Sequence, residues 1–242
     1  MRTLGIVQAR MGSGRLPGKV LRRPGRHTVL ARVVRAARDS GVLDDLVVAT
    51  TAEPADDAVA AECRAIGVDC HRGPVDDVLT RFIGVLDARP ADAVMRFTAD
   101  CPLLDPEIIA TAARAFAAVP DLDYLSTSIA RTLPRGLDAE IARSRALRAA
   151  DRLATDHHRV HVTSYLYGNP DTFRVLGLTL QPDLSHLRLT LDTADDWRLI
   201  TAIVEHFGDA PLPVRVLADW LADRPELCQL NAHVRQKALF QA

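Results

Sequence analysis

Short apolar runs alternate with stretches of helical spacing through the first half of the chain. Residues 3–8 are apolar and then polar, the pattern of a strand. Over residues 28–38, Leu30, Val33, Val34 and Ala37 share one helical face, and Thr28 stands where an N-cap belongs. Residues 45–50 (DLVVAT) predict a buried strand. Residues 54–66 predict a helix opened by Pro54 and closed by Gly67, followed by a brief strand at 68–71. Residues 76–87 predict a helix capped by Asp76, and 93–97 (AVMRF) a further strand. This β-α-β rhythm predicts an α/β fold in three layers, with a mixed, mainly parallel sheet covered by helices on both faces.

The second half is less regular. Helical spacing recurs at residues 106–118, 144–167 (interrupted near Asp156), 195–206, 217–221 and 227–239. Strand patterns recur at 124–129, 173–178 and 187–191, the last alternating as L-R-L-T-L, while 131–140 reads as a loop or hairpin built on Pro134 and Gly136. No linker, repeat or low-complexity tract interrupts the chain. One domain over residues 1–242 is expected, with 129–180 as an insertion on the acceptor or dimer side and 208–242 as a helical extension.

Composition narrows the function classes. The chain has 242 residues, 48 % hydrophobic and 25 % charged, as globular proteins do, and a net charge of -1. That balance offers no electrostatic footprint for nucleic acid or an anionic membrane. No apolar run approaches the roughly 20 residues that span a bilayer, and the N-terminus lacks the pattern of a signal peptide. A cytoplasmic protein is expected. Cys63, Cys70, Cys101 and Cys228 form no C-x-x-C pair, so isolated thiols are the simpler reading. Of 30 basic residues only Lys19 and Lys237 are lysines, which singles out a lysine in a glycine-rich loop.

In an open α/β sheet, ligands sit beyond the carboxyl ends of the strands. The first such end continues as Q-A-R-M-G-S-G-R-L-P-G-K at residues 8–19. Its glycines let the backbone close on a ligand, free N–H groups can cradle phosphate oxygens, and Arg10, Arg15 and Lys19 supply charge. The loop is not a Walker A motif, because Val20 follows the lysine, nor a G-x-G-x-x-G fingerprint. A solvated turn is the plain alternative. Asp100 and Asp192 each follow a strand, and each is either a ligand for a divalent cation or a cap for the next helix. Two such carboxylates beside a basic loop suit a metal–nucleotide site, since Mg²⁺ takes one or two carboxylates together with phosphate oxygens. Arg72 stands at a fourth strand end.

Six blocks, in order, carry a resemblance: A-R-M-G-S-G-R-L-P-G-K at 9–19, R-G-P-V-D-D-V-L at 72–79, T-A-D-C-P-L-L-D-P at 98–106, R-T-L-P-R-G-L-D-A-E at 131–140, H-V-T-S-Y at 161–165 and S-H-L-R-L-T-L-D-T at 185–193. Together they resemble the spore-coat-polysaccharide type of cytidylyltransferase, related to the CMP-sialic acid and CMP-Kdo synthetases. N-A-H-V-R-Q-K at 231–237 is similar to the ending of family members. The resemblance implies a nucleotide-diphosphosugar-transferase-like fold and transfer of CMP from CTP to a sugar acid or similar acceptor, with release of pyrophosphate and Mg²⁺ as cofactor. It implies a homodimer as well. It places Ala9, Arg10, Met11, Gly12, Ser13, Arg15 and Lys19 around the nucleotide, with Arg72 and Thr98 near the base or ribose. Asp100 and Asp192 would hold Mg²⁺ and, with Lys19 and Arg15, form the catalytic set. Arg135, Asp138, Glu140, His186 and Arg188 would lie on the acceptor side. Gly14, Val160 and Ser164 depart from the family pattern, removing a hydroxyl near the phosphates and a carboxylate near the acceptor.

The run Asp156, His157, His158 and His161 has the i, i+4 histidine spacing of zinc ligands, yet lacks the H-E-x-x-H glutamate and an evident third ligand. A polar helix face beside the acceptor is expected instead. A related nucleotidyltransferase or glycosyltransferase with another nucleotide or acceptor, and a non-catalytic nucleotide-binding module, remain the alternatives.

Overall fold

Four parallel strands and their crossovers build the half of the sheet that carries the cleft. β1 (Thr3–Gln8) lies between β2 (Asp45–Thr51) and β4 (Ala93–Thr98), and β3 (Asp69–Gly73) pairs with β2 at one edge. Beyond β4, β6 (Glu140–Arg143) runs antiparallel between β4 and β5 (Tyr124–Ser126), and β7 (Val175–Gly177) pairs parallel with β5. The sheet order is thus β3-β2-β1-β4-β6-β5-β7. These coordinates come from a computed structural model, which describes residues 1–236.

Alternation along the strands sorts side chains into two cores. Val7, Val48, Met95, Phe97 and Ile141 face one layer, made by α1 (Val29–Asp39), α2 (Asp57–Ala65), α4 (Pro106–Ala118), α8 (Ala194–Phe207) and α9 (Val214–Ala222). Leu4, Ile6, Val47, Ala49, Val94 and Ala142 face the other, made by α3 (Val78–Ala88), α5 (Ser144–Leu153) and α7 (Ser164–Gly168). The three-layer α/β/α architecture is as expected.

Local signals set most boundaries. Thr28 Oγ1 accepts from the Ala31 N–H at 3.0 Å, so the N-cap of α1 is the residue the pattern indicates. α3 begins later than expected. Asp77, not Asp76, accepts from the Thr80 N–H (2.8 Å), because the turn from β3 places its side chain, rather than its neighbour's, over the first turn.

The larger corrections come where pairing partners are distant in sequence. β6 has only four residues and follows an irregular loop, so it shows no strand period of its own. Residues 187–191 alternate between apolar and polar in sequence, yet Leu189, Thr190 and Leu191 are all buried and the segment forms no strand. The Arg135 N–H donates to the Leu187 carbonyl (3.0 Å), the Leu189 N–H to that of Arg135 (2.7 Å) and the Leu191 N–H to that of Asp100 (2.8 Å). The segment therefore threads between two loops across the carboxyl edge of the sheet. Gly136 permits this: at φ +103°, a Cβ there would lie 2.6 Å from the Thr190 nitrogen. Residues 144–167 split into α5, α6 (His157–Val160) and α7, with the expected break at Asp156. Of the helix expected at 227–239, α10 (Pro225–Gln229) covers the start, while Lys237 and Leu239 lie outside the described residues. Among the described residues no helix is long and apolar enough to cross a membrane.

Candidate active site

A cleft of about 270 Å³ opens over the carboxyl ends of β1 and β4. Gln8 and Thr98, register partners at those ends, form its floor. One wall is the loop after β1, with Ala9, Arg10, Gly12, Ser13, Gly14, Arg15 and Lys19. Val78 and Arg81 of α3, with Val160 and His161, form the wall contributed by the other layer. Val162, next in the chain, is fully buried at φ +23°, a strained conformation for a β-branched residue that turns the chain sharply between α6 and α7.

Two interactions shape the loop. The Met11 N–H donates to Asp56 Oδ1 (2.6 Å), and Asp56 also accepts the Thr51 hydroxyl. The Gly18 N–H closes back on the Met11 carbonyl (3.0 Å), and Gly18 itself sits at φ +67°, opening the 3-10 turn Lys19–Leu21. Met11 is thereby committed to holding the loop, not to lining the cleft as expected. Asp56 was invisible to motif reading, since its partner lies 45 residues away in sequence.

Lys19 occupies the centre. Its Nζ lies 2.7 Å from Asp100 Oδ2 and 2.7 Å from Asp192 Oδ1. Arg15 reaches Asp192 Oδ2 at 3.0 Å and Arg188 reaches the same oxygen at 2.9 Å. Burial by itself lowers the Lys19 ammonium, but the two carboxylates outweigh it and hold the group above its usual range. Burial raises the Asp192 carboxyl, and Lys19, Arg15 and Arg188 outweigh it in the other direction. Neither aspartate caps a helix. Thr193 caps α8, in a reciprocal capping box with Asp196, and Asp105 caps α4, which leaves Asp100 and Asp192 free for the cleft.

Asp196 is the site residue that the motifs missed. Fully buried, it accepts the N–H groups of Asp192 and Thr193 (2.9 Å each), Arg188 Nε (2.8 Å) and Asn231 Nδ2 (2.8 Å). It anchors the turn that aims Asp192. The T-x-x-D capping spacing at Thr193 was the available signal.

The expected acceptor residues do not gather in the cleft. Arg135, His186 and Arg188 border a second cavity, of about 420 Å³, beside α10. The guanidinium of Arg188 is committed to Asp192, Asp196 and Gln236, making it a support of the carboxylate site. Asp138 pairs twice with Arg131 (2.6 and 3.1 Å), and burial still pushes its carboxyl up. Glu140 pairs with Arg96 (2.6 Å) and accepts from Tyr124 and Thr163 (2.7 Å each), which hold its carboxyl down against burial. Arg72 is likewise drawn away: it binds the carbonyls of Thr51 and Glu53 (2.9 Å each) and Asp57 (2.6 Å), outside the cleft lining. Among the described residues, no three histidine, cysteine or acidic side chains gather as metal ligands.

Comparison with known proteins agrees with this geometry. The family model described as cytidylyltransferase matches residues 4–238. The chain is 34% identical over 215 residues to the spore coat polysaccharide biosynthesis protein SpsF of Bacillus subtilis, covering 85% of this chain and 88% of that one. It is 30% identical over 179 residues to the 3-deoxy-manno-octulosonate cytidylyltransferase of Maricaulis maris, covering 72% and 66%. A solved cytidylyltransferase structure from Leptospira borgpetersenii superposes with a TM-score of 0.90 at 28% identity, over 98% of this chain and 99% of that one. With a basic glycine-rich loop facing two carboxylates in this fold, and a family match along nearly its whole length, the chain belongs to the cytidylyltransferases and is a CTP-dependent nucleotidyltransferase.

Proposed function

We propose that the enzyme transfers CMP from CTP to a sugar acid or similar small acceptor, releasing pyrophosphate, in the cleft over β1 and β4. The observation that carries this reading is the Lys19 ammonium held between Asp100 and Asp192 beside a glycine-rich loop whose Gly12, Ser13 and Gly14 line the cleft. The backbone at Gly12, Ser13 and Gly14 would cradle the triphosphate, with Arg10 and Arg15 at its flanks. Charge grows on the leaving pyrophosphate during transfer, and Lys19 and Arg15 would neutralise it once phosphate has drawn them from their carboxylate partners.

The donor set fits Mg²⁺: two convergent carboxylates, all-oxygen ligands, and an adjacent phosphate site to complete the shell. Asp100 and Asp192 would hold the ion, which supplies Lewis-acid stabilisation of phosphate charge and acidifies an acceptor hydroxyl. Triphosphate binding would draw Lys19 from the two carboxylates onto phosphate oxygens, freeing them. Arg188 and Asp196 keep Asp192 aimed throughout. Residues 129–180 reach the cleft through Val160 and His161, which supports reading that segment as part of the acceptor side. The name of the Maricaulis relative, specifying a 2-keto sugar acid, supports the acceptor class.

Pyrophosphate release is measured with Mg²⁺, each of the four NTPs, and a panel of sialic, legionaminic and Kdo-type acids, sugar phosphates, polyol phosphates and phosphonates. Release with CTP and a sugar acid is the expected result. Release only with a phosphorylated or phosphonate acceptor moves the enzyme to another acceptor class, and failure to bind CTP removes the cleft as its site.

A further inference from the structure

A chain of hydrogen bonds fixes one group on the cleft floor that the transfer reaction has not used. Gln8 closes β1, in register with Ala49 on one side and Thr98 on the other, and its carbonyl accepts the Ala99 N–H at 3.0 Å. A side chain carried between two paired strands is placed more precisely than one on a loop. Strand alternation sends it to the same face as Ile6, the face covered by α3, α5 and α7. There it lines the cleft.

The amide has one orientation. Its Oε1 accepts from Arg96 Nε at 3.1 Å. A guanidinium carries donors only, so turning the amide over would set N–H against N–H. Arg96 is itself held: Nη1 donates to Glu140 Oε1 at 2.6 Å, and Glu140 Oε2 takes the hydroxyls of Tyr124 and Thr163 at 2.7 Å each. The Gln8 Nε2 group is therefore turned away from Arg96. It has no acceptor among the described residues, yet it is not one of the enclosed unpaired atoms, which belong to Thr50, Arg81, Ser144, Thr201 and Trp220. It is an accessible donor with its bonding capacity unused. The neighbouring floor hydroxyl, Thr98 Oγ1, already meets Cys101 Sγ at 3.2 Å.

The surroundings of this donor point to the acceptor substrate. The cleft wall on its face of the sheet includes Val160 and His161, from the segment read as the acceptor side. Thr163, two residues on, ends the chain Gln8–Arg96–Glu140–Thr163, so one network holds both the floor donor and the turn behind that wall. Asp100 follows Thr98 by two residues, which sets the donor near the carboxylate pair where the attacking oxygen must arrive. We propose that Gln8 orients the acceptor: its Nε2 donates to an oxygen of the sugar acid and turns the attacking hydroxyl toward the α-phosphate of CTP. This rests on the reading of the cleft as the site of CMP transfer to a sugar acid.

The test compares wild type, Gln8→Met and Gln8→Glu. Acceptor KM and kcat are measured at saturating Mg²⁺·CTP with the sugar acid that gives the greatest pyrophosphate release, and CTP affinity is measured separately by calorimetry. Gln8→Met should raise acceptor KM about five- to tenfold, the worth of one hydrogen bond, and leave CTP affinity within about twofold. Gln8→Glu keeps an oxygen for Arg96 and replaces only the donor, so it should raise acceptor KM at least as much. If the methionine variant does not fold, the glutamate variant decides by the same split. Unchanged acceptor KM overturns the proposal. CTP affinity weakened as much as acceptor KM overturns it too, and makes Gln8 a nucleotide ligand. Parallel losses in kcat, acceptor KM, CTP affinity and thermal midpoint overturn it and make Gln8 a support of the floor. CTP binding by wild type without release from any sugar acid removes the acceptor reading and the proposal with it, while failure to bind CTP removes the cleft as the site.

Discussion

Two charged clusters flank the end of β4, and their pairing differs. On one side, Lys19 is shared between Asp100 and Asp192, and about a quarter of the Asp100 side chain remains exposed. On the other, Glu140 takes Arg96 on one oxygen and both Tyr124 and Thr163 on the other, and none of these four residues lines the cleft. A carboxylate engaged only by partners away from the cleft can support a site but does not face a ligand. A cation held between two carboxylates at the rim of a cleft can exchange partners when phosphate arrives. Of the acceptor residues named from motifs, Asp138, Glu140 and Arg188 are paired inside the protein, while Arg135 and His186 border the second cavity.

The largest effect should follow Asp100→Ala or Asp192→Ala. Pyrophosphate release should fall to background while circular dichroism stays unchanged, and normal turnover in either variant would take that residue out of the metal site. Lys19→Ala comes next, with kcat lowered by on the order of 10²-fold or more, as for loss of one preorganised charge donor. Glu140→Leu inverts the pattern. Arg96 would be left buried and uncompensated, so stability should drop by about 3–5 kcal/mol, while the folded fraction keeps kcat within about tenfold. An unaltered thermal midpoint would erase the contrast between the clusters.

Acidity sharpens it further. Asp192, Asp196 and Glu140 are all held below their usual ranges. Their contribution to stability is complete above the unfolded values, 3.8 for the aspartates and 4.5 for glutamate, and is lost as pH falls through the lower folded values. Denaturant titrations between pH 6 and pH 2 should show stability falling below about pH 4, with a shallower fall in Asp192→Asn. Lys19 works in the opposite sense, stabilising fully below 10.5 and losing its contribution as pH rises through its higher folded value. The smallest effect belongs to the exposed Arg114–Glu107 pair (2.5 Å), where Arg114→Ala should cost less than about 1 kcal/mol.

Much of the first half of the chain was legible because its signals are local. β1, β2, β4, α1 and α4 depend on runs of apolar residues and caps that a short window contains. The basic loop with Asp100 and Asp192 was legible for the same reason, as strand ends in a parallel sheet point to one edge. The Leu187 to Leu191 segment misled because apolar–polar alternation reports an extended chain with one buried face and does not reveal whether its hydrogen-bond partners are strands or loops. β6 escaped because four residues carry too little period to register.

Periodicity, turn chemistry and motif order alone specify the α/β architecture, the phosphate-type loop and the cytidylyltransferase family of this chain. Which charges reach the ligand was decided only by folding. Arg188 and Arg72 turned to partners in the protein, Asp56 and Asp196 became anchors, and Arg81 was left buried with its Nε unpaired. The physical reason is that hydrogen-bonding capacity is finite and is claimed first by whatever the fold brings near. A charged residue's type is written in the chain, but its vacancy is a property of the neighbours that packing supplies.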